Sequence, residues 1–235
     1  RHSGVGLFTD RATTSRIGFS SLKTLAFGLT LLDVDLDTDL DLLLANGHVQ
    51  EHIGRLVEGV TFKQAAQLFL NDGGGTFEEF KAESGPLTQM LVARGAAYAD
   101  YDRDGDLDVL LTENNGPAHL WRNDLSDGHF LRVRLQGTES NRDGIGARVR
   151  ATVGGLVMER RVRTGSSYLS QPEKAVSFGL GGAREVEVLE VAWPSGTVER
   201  IENVAPDQEV LLVEGFGSRQ PGHSRFAVSR CEPLH

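Results

Sequence analysis

The sequence predicts an all-β protein, in which a partial β-propeller of about two blades precedes a β-sandwich or small barrel. Three observations lead to this prediction. An acidic loop occurs twice, a short apolar run follows each copy, and the second half of the chain alternates apolar with charged residues. A chain of 235 residues has room for more than one such unit and for a sizeable core.

Each acidic loop is a nine-residue stretch with an aspartate at every second position. The first loop covers residues 33–41 and the second covers 100–108, at an offset of 67 residues. Crowded aspartates repel one another, and a hard cation with oxygen ligands, usually Ca²⁺, removes that repulsion. The sequence therefore predicts two calcium sites. The predicted ligands are Asp33, Asp35, Asp37, Asp39 and Asp41 in the first loop, and Asp100, Asp102, Asp104, Asp106 and Asp108 in the second.

The positions within a loop have different expected roles. Positions one, three and five place carboxylates on one side of a tight turn, position seven offers its backbone carbonyl, and position nine closes the site. An EF-hand loop would run to a glutamate between two helices. Here short apolar runs, 42–44 and 109–111, follow position nine, so each loop joins strand to strand. A single acidic run is usually a solvated surface, but two runs in one register disfavour that interpretation.

The two loops differ at position six, where the second has Gly105 and the first has Thr38. Calcium loops favour glycine there because the chain turns sharply, commonly with positive φ. A β-branched residue is strained in that conformation. Arg103 offsets one negative charge in the second loop and argues the other way, but its side chain can point outward. We therefore expect the second site to bind calcium more tightly.

The repeat extends beyond the loops. Residues 68–71 match 120–123, and Phe27-Gly28 precedes the first loop, where the second has Arg94-Gly95 at the same offset. The repeating unit is a run of four strands with the calcium loop in the middle, which is a blade of a β-propeller.

The start of the chain also fits this repeat, because residues 4–10 match 73–79. We therefore expect the chain to begin inside a repeat, as the C-terminal part of a longer propeller protein. A propeller closes with at least about four blades. Two blades would have to pack against further blades or against another chain.

The loops, the first with its preceding Phe27-Gly28, resemble FG-GAP repeats, the blades of integrin α-subunit propellers and of many bacterial surface proteins. Four motifs further on resemble the ASPIC/UnbV domain that follows such repeats in related proteins. They are Ser140–Val149, Gly165–Gln171, Phe178–Gly181 and Trp193–Gly196. The resemblance implies a calcium-binding, non-catalytic extracellular adhesion or protein-interaction module. It also implies a secreted, periplasmic or cell-surface location and an unidentified protein or glycan partner.

Three segments follow from these patterns: blades over residues 1–125, the ASPIC/UnbV-like β domain over 126–215, and a flexible tail over 216–235. Residues 48–67 are expected to be an insertion, with a short helix over Phe62–Leu70.

Composition agrees with metal sites. The net charge is −9, and two Ca²⁺ ions would bring it to −5. No basic stripe indicates nucleic acid, and no run of about 18 apolar residues predicts a membrane span. Cys231 is the sole cysteine, so an internal disulfide is excluded.

Two alternative functions remain open. His48, Glu51 and His52 fit the H-x-x-E-H pattern of a zinc hydrolase, which requires a helix at 48–52 and a third ligand. A glycan- or small-ligand-binding protein would instead cluster exposed aromatic side chains around a cleft. The candidates for that cluster are Tyr98, Tyr101, Trp121 and Tyr168.

Overall fold

The computed structural model describes residues 6, 8–125 and 128–215. Within these ranges the chain forms fourteen strands in four sheets, with one short α-helix and two 3₁₀ helices. The predicted all-β fold is therefore confirmed. None of the helices in the described ranges has the length and apolar character needed to cross a membrane.

The first blade is a four-stranded antiparallel sheet, and the first acidic loop joins its first two strands. A short helix, α1 (Ile17–Ser20), lies beside the fourth strand and contributes Ile17 to the cluster that covers one face of the sheet. In sheet order the strands are β1 (Ala26–Leu32), β2 (Asp41–Asn46), β3 (Gln67–Asn71) and β4 (Phe77–Phe80).

The second blade has three strands in the described residues, so it differs from the four-stranded unit that the repeat predicts. They are β5 (Ala93–Ala99), β6 (Asp108–Glu113) and β7 (Ala118–Trp121). The second loop joins β5 to β6, as the first joins β1 to β2. The matched segments 68–71 and 120–123 fall on the third strands, β3 and β7. The next strand after β7 belongs to the C-terminal sandwich.

The expected helix over Phe62–Leu70 is wrong. Gln64 forms an isolated bridge with Leu91, and β3 begins at Gln67. Leu68 and Phe69 are both buried, in different clusters on the two faces of the sheet. A run that is apolar on both faces suits a central strand better than an amphipathic helix. The 48–67 segment holds a short 3₁₀ helix at Ile53–Arg55 instead.

The two blades pack face to face around a shared apolar core that includes Leu32, Leu43 and Leu111. Gly28 lies on β1 in close contact with β5. A Cβ atom added there would lie 2.8 Å from Ala96 Cβ and 2.9 Å from Ala45 Cβ. The glycine of the Phe-Gly dipeptide therefore allows close packing of the blades.

The second half of the chain is a β-sandwich, which agrees with the first of the two predicted architectures. One sheet has the order β10-β9-β12-β13, and the other has the order β11-β8-β14 with β14 parallel to β8. Residues such as Leu131, Phe178 and Leu189 form its single core. The strands are β8 (His129–Gln136), β9 (Arg148–Val153), β10 (Leu156–Arg161), β11 (Val176–Gly181), β12 (Val186–Ala192), β13 (Val198–Val204) and β14 (Gln208–Val213).

Several expectations fall outside the described residues. Residues 126–127, where the domain boundary is predicted, the tail from 216 onward, and most of the 4–10 segment are among them.

Glu214, directly after β14, organises one end of the sandwich. Its carboxylate is buried and accepts bonds from the backbone N–H groups of Thr138, Glu139 and Ser140, at 2.6–2.9 Å. The hydroxyls of Ser140 and Ser195 also donate to it, at 2.7 and 2.6 Å. Two of the sequence motifs, Ser140–Val149 and Trp193–Gly196, therefore meet at this carboxylate.

Gly28→Ala is expected to destabilise the blades. The added methyl group overlaps Ala96 and Ala45 and forces the strands apart, and overpacking of this kind costs about 1–3 kcal/mol. Denaturant unfolding measures the change. Gly182→Ala is the matched control, because a Cβ there meets no atom within 4 Å. Equal stability of the two variants would contradict the packing role of Gly28.

The ionisation of Glu214 should make the stability of the sandwich depend on pH in the acidic range. Burial raises its pKa, but the hydrogen bonds from Ser195, Ser140 and Thr138 outweigh burial and lower the pKa from 4.5 to about 2. The stabilisation is therefore full above pH 4.5 and is lost as the pH falls towards 2. In melting experiments between pH 4.5 and about 2, the melting temperature of Glu214→Gln should lack the fall that the protonation of Glu214 causes in the unmodified protein. Glu187→Gln, which changes an exposed side chain, should keep this fall. The same dependence of the melting temperature on pH in both variants would refute the role of Glu214.

Candidate metal centres

The two acidic loops have the same backbone shape. Position four is left-handed in both, with φ of 57° at Leu36 and 65° at Arg103. Position six also has positive φ in both, 92° at Thr38 and 105° at Gly105. The first loop therefore holds a β-branched residue in a conformation that favours glycine.

Position nine ties each loop to its blade. Asp41 accepts the N–H of Val34 at 2.9 Å with one oxygen and the N–H of Asn71 at 2.9 Å with the other. Asp108 does the same in the second blade, accepting from Tyr101 at 3.0 Å and from Asn123 at 2.9 Å. Because Asn71 ends β3 and Asn123 follows β7, the position-nine carboxylate joins the loop to the third strand.

Three carboxylates converge in each loop. Oxygens of Asp33, Asp35 and Asp37 lie within 4.8 Å of one another, and so do oxygens of Asp100, Asp102 and Asp108. Two ligands of one calcium ion, each about 2.4 Å from it, lie at most about 4.8 Å apart. Both groups therefore have the spacing that a shared ion requires.

The remaining predicted ligands lie outside these two groups. Asp39 and Asp104 each lie within their loop, and Asp106 is buried beside the second group. Asp41 bonds to backbone at both oxygens, although its equivalent Asp108 belongs to the second group. The ten-ligand assignment stays a prediction.

Each group contains a buried carboxylate oxygen without a hydrogen-bond donor among the described residues. These atoms are Oδ1 of Asp35 and Oδ1 of Asp100. A buried oxygen of this kind is costly unless it is paired. A cation bound among the three carboxylates would supply the missing partner. The residues present therefore fit a hard cation.

Electrostatics also favour a cation at both loops. Burial, followed by the neighbouring charge of Asp37, raises the pKa of Asp33 to about 7, although Arg160 acts in the opposite direction. Burial and then Asp104 raise the pKa of Asp106 to about 6. Carboxylates that resist ionisation in this way are stabilised as anions by a positive ion.

The loops differ at position one. Both oxygens of Asp33 accept N–H groups of their own loop, from Asp37 at 3.1 Å and from Thr38 at 3.2 Å. Asp100 instead accepts a 2.5 Å bond from the guanidinium of Arg132, which lies on β8 of the sandwich.

Sequence reasoning missed the sandwich residues that face the loops. They are Arg132, Glu173 and, near the first loop, Arg160. Arg132 lies 32 positions after Asp100, and no local motif marks it.

The hydrolase alternative lacks its structural requirement. No helix forms over residues 48–52, and the 3₁₀ helix begins only at Ile53. His48 Nδ1 accepts the N–H of Gln50 at 3.0 Å, as in a loop. Within residues 6, 8–125 and 128–215, His48, Glu51 and His52 belong to neither group of side chains spaced to share an ion.

The aromatic cleft expected for a glycan site is not formed by the four candidates. Trp121 is buried and Tyr98 is half-buried. Tyr101 lies in the second acidic loop, and the Tyr168 ring packs edge-on against Phe27 with 5.0 Å between centroids. The two exposed tyrosines therefore belong to different environments.

Comparison with known proteins agrees with this architecture. Residues 33–111 match the FG-GAP-like repeat family, and residues 137–219 match the ASPIC and UnbV family. Cartilage acidic protein 1 of Mus musculus is 41% identical over 54 residues, which are 23% of this chain and 8% of that protein. The Xenopus tropicalis protein of the same name is 34% identical over 76 residues, 32% of this chain and 10% of that protein.

The matched segments therefore span about a tenth of these relatives or less. The family matches fall on the two halves that the structure separates, since one covers most of the blades and the other covers most of the sandwich. The chain thus joins a segment that matches FG-GAP-like repeats to a segment that matches the ASPIC and UnbV family, and it is similar to a part of cartilage acidic protein 1.

Proposed function

We propose that this chain is a calcium-stabilised, non-catalytic interaction module of a larger protein. The observation that carries the proposal is the pair of acidic loops with one backbone shape, each with three converging carboxylates and an unpaired buried oxygen. Calcium is the hard cation that best suits an all-oxygen, all-carboxylate set. Its role is structural, because the loops join the strands of each blade.

The interaction role follows from the kinds of domain that match. FG-GAP-like repeats and the ASPIC and UnbV domain are non-enzymatic kinds of module, and the zinc-hydrolase motif lies in a loop. We infer a protein or glycan partner bound by the surface that the rigid blades and the sandwich present. A fold of this type supports many functions, so the fold does not identify the partner, which a binding experiment has to find.

We further propose that the parent protein works outside the cytoplasm, as a secreted, periplasmic or surface-bound protein. Extracellular calcium modules work with a Kd of about 10⁻⁴–10⁻³ M, which suits calcium concentrations outside cells. The likeness to cartilage acidic protein 1 supports this location. Fractionation that finds the full-length protein only in the cytosol would contradict it.

Calcium should stabilise the fold. An ion that binds only the folded state adds about 2.7 kcal/mol per independent site at a hundredfold excess over Kd. Chelation is therefore expected to lower the melting temperature, and the double variant Asp35→Asn, Asp102→Asn should lose the calcium-dependent rise.

The control for this experiment is Asp143→Asn, which removes an exposed sandwich carboxylate that pairs with Lys174. This variant should respond to calcium like the unmodified protein. A melting curve that chelator leaves unchanged would sink the proposal for both loops.

Thr38→Gly should strengthen the first site. Thr38 has φ of 92°, and strain of this kind costs about 1–3 kcal/mol. Each 1.4 kcal/mol corresponds to about tenfold in affinity, so relief of the strain should tighten calcium binding by roughly ten- to a hundredfold. Calorimetric titration measures both sites. The second site, with Gly105, should be the tighter one before the substitution, and equal affinities would overturn this ranking.

A further inference from the structure

The second acidic loop is held by the sandwich as well as by its own blade. Arg132 on β8 is 5% exposed, and its two terminal nitrogens donate to different carboxylates. Nη1 bonds to Asp100 Oδ2 and Nη2 bonds to Glu173 Oε2, both at 2.5 Å. The other oxygen of Glu173 accepts the backbone N–H of Asp100 at 3.2 Å. Both the main chain and the side chain of Asp100 are therefore fixed from the sandwich.

This arrangement leaves one oxygen of Asp100 unused. The side chain is 1% exposed, and Oδ1 has no hydrogen-bond partner in the described residues. The second group of converging carboxylates consists of Asp100, Asp102 and Asp108. Arg132 thus holds one oxygen of the carboxylate and leaves the other for an ion shared with Asp102 and Asp108.

The charge of Arg132 does not oppose such an ion. Its Nη2 also lies 3.6 Å from Glu209, so the sandwich brings two carboxylates together with one guanidinium. Glu209 also pairs with Arg134 at 3.2 Å, so these two guanidiniums and two carboxylates sum to zero. A cation at the loop therefore meets no net positive charge from this group.

We propose that Arg132 is a positioning residue for the second metal site, and that it couples ion binding in that loop to docking of the sandwich on the blades. The inference rests on the proposed function, that the loop binds calcium. Because the ion and the sandwich both fix Asp100, each stabilises the other, and the coupling is reciprocal. In the described residues the first loop has no such hydrogen bond at Asp33, whose oxygens accept N–H groups of their own loop, although the charge of Arg160 acts on it.

The first test measures affinity. Terbium luminescence excited through Tyr101, at position two of the second loop, reports that site, and calcium competition gives its affinity. Loss of a partner that orients a ligand typically weakens metal binding by about 10–100-fold. Arg132→Met should weaken the second site by this factor and leave the first site unchanged. Arg184→Met is the matched control, since Arg184 is an exposed arginine of the same sandwich and lies outside the ion pairs around Asp100.

Arg132→Lys separates positioning from charge. A lysine keeps the positive charge but cannot hold two carboxylates with a planar fork. The second site should therefore stay weak in this variant. Full affinity with lysine would mean that charge alone suffices and would overturn the positioning role.

The second test measures docking. Hydrogen–deuterium exchange of the full chain should show that calcium slows exchange in β8 of the sandwich, not only in the blades. In Arg132→Met the protection should remain in the blades and disappear from β8, whereas β11 should keep protection because Gly181 bonds to Leu36 of the first loop. Protection of β8 equal to that of the unmodified protein would refute the coupling.

Two outcomes distinguish the possible failures. Absence of calcium binding at both loops of the unmodified protein would refute the proposed function itself. If the unmodified protein binds calcium and Arg132→Met binds it at the second loop with unchanged or tighter affinity, only the coupling is refuted. If Arg132→Met does not fold, Glu173→Gln serves instead, because it removes one charge from the pair with Arg132 and retains the shape. It should weaken the second site in the same direction, and an unchanged affinity would count against the proposal.

Discussion

The crowding of carboxylates in the two acidic loops is the main electrostatic constraint on the blade half of this protein. Each acidic loop turns through two left-handed residues, which brings three carboxylates within reach of one ion. Burial, and after it the neighbouring carboxylates, raise the pKa of Asp33 and Asp106, so both burial and crowding disfavour the charged forms. The position-nine aspartates transmit this constraint to the sheet, because their hydrogen bonds join the loop to the third strand.

The geometry of the loops also decides how the blades meet their neighbours. The first loop lies against β11, where the N–H of Gly181 donates to the carbonyl of Leu36 at 2.7 Å. The second lies against β8, where a Cβ at Gly105 would overlap the ring of Phe130. The sandwich therefore covers both loops, and glycine at position six of the second loop serves packing as well as backbone conformation.

The sandwich maintains its own structure by different means. Its core is separate from the core that the blades share, and Glu214 gathers three backbone donors and two hydroxyls at one end. The blades combine a shared apolar core with the two groups of converging carboxylates. The sandwich combines its own apolar core with one buried carboxylate that five protein donors satisfy. Calcium is therefore expected to act on the blades directly, and on β8 of the sandwich through Arg132.

The structure decided that Thr38 adopts a positive φ, where the loop could instead have relaxed. The sequence by itself determined the all-β fold and the two acidic loops, because spacing along the chain encodes local backbone shape. It also identified the equivalence of β3 and β7 through the match of 68–71 with 120–123. The tertiary structure decided that Phe62–Leu70 is not helical, because the sheet buries both faces of that segment. It decided too that Arg132 holds Asp100 and that Glu173, 73 positions from Asp100, accepts its N–H. Contacts between distant segments depend on how two sheets pack, and no local pattern of residues specifies that.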